Sequence, residues 1–469
     1  MKVLITGATG LIGKEIGKHL VEMGHQLTVL ARNPEKARSE LPFPATILKW
    51  EGSAAEVPAA AVAEHEVVIN LVGESIAGGR WTEERKKKIY DSRILSTRSL
   101  VNAIEALPQN KNKLKAFVHG SATGIYGNRG DEVLSESSAP DAGDDFLAHV
   151  TRDWEAEADR VSQVAPQVRL TKVRTGIVLA RQGGTLPMLL PIFNSALGGK
   201  LASGQQWMSW IHIDDITALF VECALNDKMR GAINGTAPEP ARNARFTVEF
   251  ARALGRPVSL PAPKFALKLI LGEMSNVVLA SARCTPEAAL HAGFQFKYPD
   301  LVGALRELCE PLKKGQHEFF AEQWVPRKPS EIFPYFSSET NLEELTPPFM
   351  GFKVLRKSPG PMKAGTLIDY RLSVHGIPMK WKTRIEEWIP EERFVDNQLR
   401  GPYKRWHHTH TFRELAGGTL MTDCVHYRLP LGWLGDVTAH WKVLEDVKSI
   451  FAYRRQKVDA MWGAENRSS

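Results

Sequence analysis

The stretch 2-KVLITGATGLIG-13 decides how the first half of this chain folds. Residues 2–6 are an apolar run that reads as a buried strand, and 11-LIGKEIGKHLVEMG-24 has the spacing of an amphipathic helix closed by Gly24. Between them, 6-TGATGLIG-13 sets glycines at positions 7, 10 and 13. Gly7 permits the tight turn, Gly10 lets the backbone approach a pyrophosphate, and Gly13 lets helix and strand pack closely. Thr9, Leu11 and Ile12 complete the loop and first helical turn, where free N–H groups and the helix dipole favour an anion. A glycine spacing alone is a weak signal. Placed between a strand and a helix, it is expected to bind a dinucleotide.

The second strand runs into 27-LTVLARNPEK-36. A site for an unphosphorylated ribose usually carries Asp or Glu here. This chain has Arg32, which suits a 2′-phosphate, so the expected cofactor is NADP(H). Farther on, EVVINLVG, 115-KAFVHGSA-122 and 168-VRLTKVRTGIVL-179 read as strands, separated by helical stretches of which 82-TEERKKKIYDSRILSTRSLVNAIEAL-107 is the longest. That alternation implies parallel crossovers and an open, doubly wound α/β sheet. From 316-QHEFFAEQWVP-326 the apolar period becomes two, short turns separate the runs, and a last helix covers roughly 436–460. Consecutive alternating strands followed by a helix read as antiparallel α+β. The boundary at 311-PLKKGQ-316 gives domains of 1–310 and 316–460.

A length of 469 residues calls for two or three cores, and 43% hydrophobic with 24% charged residues is a soluble, globular balance. No apolar run is long enough to span a bilayer, and the strand at residue 2 leaves no room for a signal peptide. Cys223, Cys284, Cys309 and Cys424 form no CxxC pair, which fits a reducing cytoplasm and neither a disulfide framework nor a zinc motif. The densest basic run, 84-ERKKK-88, lacks interleaved aromatics and reads as a solvated helix face, so no nucleic-acid partner is expected.

Residues 1 to about 305 resemble an atypical branch of the extended short-chain dehydrogenase/reductase superfamily, the "NAD-dependent epimerase" or "nucleotide-sugar epimerase family" group. The resemblance rests on 6-TGATGLIG-13, 70-NLVGESIAGGRWTEERK-86, 119-HGSATGIYGNRGD-131, 145-DFLAHVTRDWE-155, 174-RTGIVL-179, 204-GQQWMSWIHIDD-215 and 271-LGEMS-275. It implies a Rossmann domain with a small substrate lobe, here about 180–205 and 240–300. It also implies cofactor contacts from Leu71, Val72 and Gly73, and from Thr175 and Gly176 beside the nicotinamide. The 82–107 helix is, by superfamily analogy, a face for a homodimer. Residues 316–460 resemble a START-like helix-grip domain of the polyketide-cyclase and lipid-transport group. That implies an antiparallel sheet wrapped on a long C-terminal helix and an apolar ligand inside.

Superfamily enzymes use a Tyr of a YxxxK pair as the acid, the Lys lowering its pKa. The equivalent stretch here, 144-DDFLAHVTRDWEAEA-158, has neither residue. The literal pair Tyr453 and Lys457 falls in the last helix, in the wrong domain. The remaining candidates are Ser121, which would position a substrate oxygen, and Tyr126, which would handle a proton, with Thr123, His149 and Arg152 nearby. Trp207 and His212, in the segment with Trp210 and Asp214, are candidate substrate contacts. In 406-WHHTH-410, His408 and His410 share one strand face without a carboxylate close in sequence, so no metal is expected; with Trp381, Trp388 and Trp406 they would flank a ligand cavity. The reading is an NADP(H)-dependent oxidoreductase or epimerase acting on a small carbonyl or hydroxyl substrate, fused to a domain for a hydrophobic ligand. The alternative is a non-catalytic NADP(H)-binding sensor that carries a lipid.

Overall fold

The computed structural model describes residues 1–463 apart from 109 and 111. The chain divides into two compact units. The first comprises Met1–Ala37 and Ala45–Cys309; the second begins at Glu310 and includes the short segment Arg38–Pro44.

The first unit is built on seven strands in the order Gly231–Gly235, Arg169–Thr175, Ala116–Ala122, Val67–Asn70, Lys2–Thr6, Gln26–Ala31 and Thr46–Lys49. Every neighbouring pair is parallel. Val3, Leu4, Ile5, Val67, Val68 and Ile69 are almost wholly buried. Strands covered on both faces read as continuous apolar runs, which is why this sequence lacks alternation here. On one face, Leu4, Val68 and Phe117 pack under Leu100, Val101 and Ile104 of the helix Glu83–Glu105. Strand order reverses between Lys2–Thr6 and Val67–Asn70, and such a switch opens a crevice at the carboxyl ends of the strands.

The helix Glu83–Glu105 begins at Thr82, whose side chain accepts from the Arg85 N–H at 3.2 Å. Its basic run is neutralised locally: Lys87 pairs with Asp91 and Lys88 with Glu84, each at 2.6 Å, and Lys86 with Glu83 at 2.7 Å. Pairs at this spacing build a solvated face rather than a positive patch. Residues 180–205 and 240–300 hold the helices Leu186–Asn194, Asn243–Leu254 and Lys264–Leu271, and short pairings join Trp207–Met208 to Ala241–Arg242 and Val133–Leu134 to Arg283–Cys284.

The second unit is a seven-stranded antiparallel sheet in the order His317–Val325, Gly418–Arg428, Arg405–Leu415, Arg393–Arg400, Ile377–Ile389, Leu367–Val374 and Lys353–Lys357. The long helix Trp433–Trp462 lies on it, with Val447 and Phe451 packed against Val425 and Tyr427. Tyr453 and Lys457 belong to this helix, where the Lys457 ammonium sits over its own partner's ring. Trp381 is 7% exposed and packs against Tyr403 and Trp406, while Trp388 packs on Phe333 and Phe394. These tryptophans therefore serve as core. Among the described residues, no helix is long and apolar enough to cross a membrane.

Candidate functional site

The crevice is lined by the glycine loop. Gly7 has a φ of 69°, and a Cβ there would stand 2.7 Å from the Leu71 carbonyl oxygen. A Cβ on Gly13 would stand 2.4 Å from the Gly7 carbonyl oxygen. Neither position has room for a side chain. Gly10 precedes the helix Leu11–Glu22 and offers no side-chain cap, so first-turn N–H groups keep their capacity for an anion. Thr9 and Gly10 are exposed, and Leu11 and Ile12 are half-buried.

The other expected cofactor residues stand at carboxyl ends of neighbouring strands. Arg32 is exposed after Gln26–Ala31, beside Asn33, whose side chain accepts from the Lys36 N–H at 2.9 Å. Leu71 and Val72 are half-buried after Val67–Asn70, and a Cβ on Gly73 would meet the Arg93 guanidinium at 3.0 Å. Thr175 and Gly176 end the strand Arg169–Thr175; a Cβ on Gly176 would stand 2.3 Å from the Ser209 carbonyl oxygen. Beneath the loop, Asn70 accepts from Thr6 at 2.7 Å and donates to Thr97 at 3.0 Å, and Trp154 donates to Thr97 at 2.9 Å. His119 completes this buried network; burial pushes its pKa down to about 3, so the ring is uncharged near neutrality.

The acid position is where the structure corrects the sequence reading. Gly124 faces the helix Phe146–Asp159: a Cβ there would touch Leu147 Cβ at 3.5 Å and Thr151 Oγ1 at 4.0 Å. Leu147 and Thr151 thus stand four residues apart on the face that meets Gly124, in the helix where the superfamily resemblance puts a Tyr-Lys pair. Glu155 continues that face, and Ser121 donates to it at 2.6 Å. Ser121 is 5% exposed, so its hydroxyl is committed inward. Tyr126 is fully buried, receives a hydrogen bond from Arg174 at 2.8 Å and donates to Asn234 at 2.8 Å. Burial pushes its pKa up to about 12 against the Arg174 charge. A hydroxyl so enclosed does not reach a substrate, and the expected proton role of Tyr126 is withdrawn. Thr123, half-buried at the head of the turn Thr123–Tyr126, follows the carboxyl end of the strand Ala116–Ala122. His149 and Arg152 lie off this face; His149 pairs with Asp153 at 3.6 Å, and Arg152 is spent on the Asp141 carbonyl.

The two expected substrate contacts are also structural. Trp207 carries the guanidinium carbons of Arg242 and Arg283 over its ring at 4.6 and 4.5 Å, and its indole N–H donates to Asp131 at 2.7 Å. His212 is 1% exposed; its Nδ1 accepts from the Asp214 N–H at 3.0 Å and its Nε2 meets Glu307 at 3.1 Å. It caps the helix Ile213–Leu225. Sequence reasoning missed Glu155, Arg174 and Asn234, since nothing short-range marks residues that meet only through the sheet.

Residues 3–149 match the NAD dependent epimerase/dehydratase family, residues 262–308 a domain of unknown function (DUF1731), and residues 325–450 the polyketide cyclase / dehydrase and lipid transport family. The chain is 38% identical over 313 residues to the chloroplastic epimerase family protein SDR39U1 homolog of Arabidopsis thaliana, covering 66% of this chain and 87% of that protein. It is 35% identical over 315 residues to the epimerase family protein YfhF of Bacillus subtilis, covering 67% of this chain and 99% of that one. Among solved structures, the human epimerase family protein SDR39U1 with NADPH superposes with a TM-score of 0.58 at 31% identity, over 66% of this chain and 99% of that chain. The Thermus thermophilus UDP-glucose 4-epimerase complex with NAD, at 16% identity and a TM-score of 0.52 over 66% of this chain and 98% of that one, shares the fold alone. With a glycine cradle at the switch point of a doubly wound sheet and these relatives matched over nearly their whole length, the chain belongs to the epimerase family of SDR39U1 and YfhF, extended by a polyketide-cyclase-like helix-grip domain.

Proposed function

We propose that the chain is an NADP(H)-dependent oxidoreductase or epimerase that acts on a carbonyl or hydroxyl substrate, with an apolar ligand taken by the second unit. The observation that carries this reading is the cradle itself: a loop closed to side chains at Gly7 and Gly13, an uncapped helix start, and Arg32 exposed where a 2′-phosphate would lie. Hydride passes between nicotinamide C4 and the substrate carbon. Thr123, rather than Ser121, positions the substrate oxygen, and with Leu147 and Thr151 on the acid face the proton is exchanged with water. Four free cysteines fit a cytoplasmic setting. The helix Glu83–Glu105 is the proposed homodimer face.

Arg32→Ala is expected to weaken NADPH about 10- to 100-fold while leaving NADH within a few-fold, because one charged hydrogen bond to the phosphate is lost. Titration of cofactor fluorescence checks this, and equal losses for both cofactors would refute the assignment. Thr123→Val is expected to slow hydride transfer about a hundredfold, the effect of deleting one donor to a developing oxyanion, with NADPH affinity unchanged.

A second reading, a non-catalytic NADP(H) sensor, is favoured by Leu147 and Thr151 on the acid face. Incubation with NADPH deuterated at C4 and a panel of aldehydes and ketones separates the two. Deuterium in a product supports the enzyme. Tight NADPH binding without transfer supports the sensor, and failure to bind NADPH sinks both.

A further inference from the structure

The interior of the second unit holds a group of side chains that no apolar-ligand reading explains. In the sheet, Asp396 stands directly opposite His408, and His410 directly opposite Asp423. Cross-strand partners share a face, and so do residues two apart on one strand, so all four side chains project together. That face is the one covered by the helix Trp433–Trp462: Phe451 meets the His408 ring edge-on, and Arg454 pairs with Asp423 at 3.2 Å. His408 is 7% exposed and His410 5%.

The two imidazoles lie between the two carboxylates, their ring centroids 3.7 Å apart and their planes inclined at 39°. Asp396 Oδ2 lies 3.4 Å from His408 Nδ1 and 3.2 Å from His410 Nε2. Asp423 Oδ1 lies 3.0 Å from His408 Nε2 and 2.8 Å from His410 Nδ1. Each ring therefore offers both nitrogens to a carboxylate oxygen. A neutral imidazole has a single N–H, so two rings bring two protons to four contacts. Arg454 also reaches His410 Nδ1 at 3.4 Å, and a guanidinium only donates, so without a metal the His410 N–H rests on Nε2; a metal on the Asp396 side would move it to Nδ1, toward Asp423, the carboxylate that would then orient the ring from behind. A metal there would take the nitrogens turned to Asp396, His408 Nδ1 and His410 Nε2, together with the Asp396 oxygen that lies 3.4 and 3.2 Å from them.

We propose that Asp396, His408 and His410 bind one divalent first-row transition-metal ion, with Asp423 orienting both histidines from behind. With metal–ligand bonds of about 2.0 Å and tetrahedral angles, adjacent ligand atoms sit about 3.3 Å apart, between the two spacings found at Asp396. The three ligand atoms all lie within 4.8 Å of one another. Two imidazoles and a carboxylate suit zinc or ferrous iron, and leave a coordination position for water or a ligand of the domain. A second group, Glu318, Cys424 and His426, lies on the opposite sheet face and supplies the control, because it carries a thiol.

The test uses tag-free, full-length protein stripped with chelator, dialysed and titrated with Zn2+, with metal content read by native mass spectrometry. One ion per chain is expected in the wild type and in Cys424→Ser. Asp396→Asn should lose it, and Asp423→Asn should bind about 10- to 100-fold more weakly. Retention by Asp396→Asn, or loss in Cys424→Ser alone, overturns the proposal. As a variant can lose metal by unfolding, the Co2+-loaded wild type gives an independent readout. Visible bands of nitrogen and oxygen ligation support the site, whereas a thiolate charge-transfer band, or no cobalt spectrum at all, refutes it.

Discussion

Gly7→Val is expected to abolish NADPH binding, with at least a hundredfold loss of affinity and a lowered melting temperature. Two costs combine. A β-branched residue in the left-handed region costs about 1–2 kcal/mol in backbone strain. The new Cβ would also stand 2.7 Å from the Leu71 carbonyl oxygen, which is backbone and cannot swing aside. Leu71 N–H is tied to the Thr6 hydroxyl at 3.2 Å, so relieving the clash moves the ends of two strands that form the crevice wall. Gly24→Val is the control. Gly24 has a φ of 81° with nothing within 4 Å of its Cβ position, so it shares the strain without the clash. It should lose stability and keep NADPH. If Gly7→Val bound NADPH within tenfold of wild type, the loop would not be the cofactor cradle.

That prediction comes from features legible in the sequence, because a strand, three glycines and a helix are consecutive and their geometry is local. The parallel sheet was legible for the same reason: its central strands are apolar on both faces, and helical stretches separate them. The second unit's antiparallel sheet followed from its period of two. What the sequence could not convey was depth and register. Ser121 and Thr123 are two residues apart, yet Ser121 is buried with its hydroxyl on Glu155, while Thr123, just past the strand's end, is half-buried. The sequence makes Tyr126 a candidate for handling a proton, because nothing in 119-HGSATGIYGNRGD-131 announces that Arg174 and Asn234 enclose it. His408 and His410 looked unaccompanied because their carboxylates come from flanking strands, and the pairing register alone brings Asp396 and Asp423 opposite them.

Arg174→Met is expected to cost the first unit about 3–5 kcal/mol at pH 7, the usual penalty for breaking a buried ion pair from one side. Arg174 donates to both oxygens of Glu155, at 2.8 and 2.9 Å, and Glu155 is 4% exposed. Its loss leaves that carboxylate with Ser121 at 2.6 Å and Lys172 at 3.3 Å, and removes the donor to Tyr126. The sign of the pH dependence follows from Glu155. Burial would raise its pKa, but the Arg174 hydrogen bonds and charge, aided by Lys172, hold it below the usual range. A depressed carboxylate contributes stability that is fully present above its unfolded pKa of about 4.3 and is lost as pH falls through the folded value. Without Arg174 burial prevails and the pKa rises, so the variant recovers stability as pH falls from that raised value to about 4.3, and the wild type loses its own contribution as pH falls below about 4.3. The gap between the two should therefore begin to shrink above about 4.3 and go on shrinking below it. Urea unfolding of the first unit, followed by loss of bound NADPH at each pH, measures it. A double variant, Glu155→Leu/Arg174→Met, removes both charges and should recover most of the stability. A constant gap across pH would mean that Arg174 acts through packing on Tyr126 instead of through the carboxylate. In that case the inward commitment of Ser121 would need a different cause, since Glu155 is what draws its hydroxyl away from the crevice.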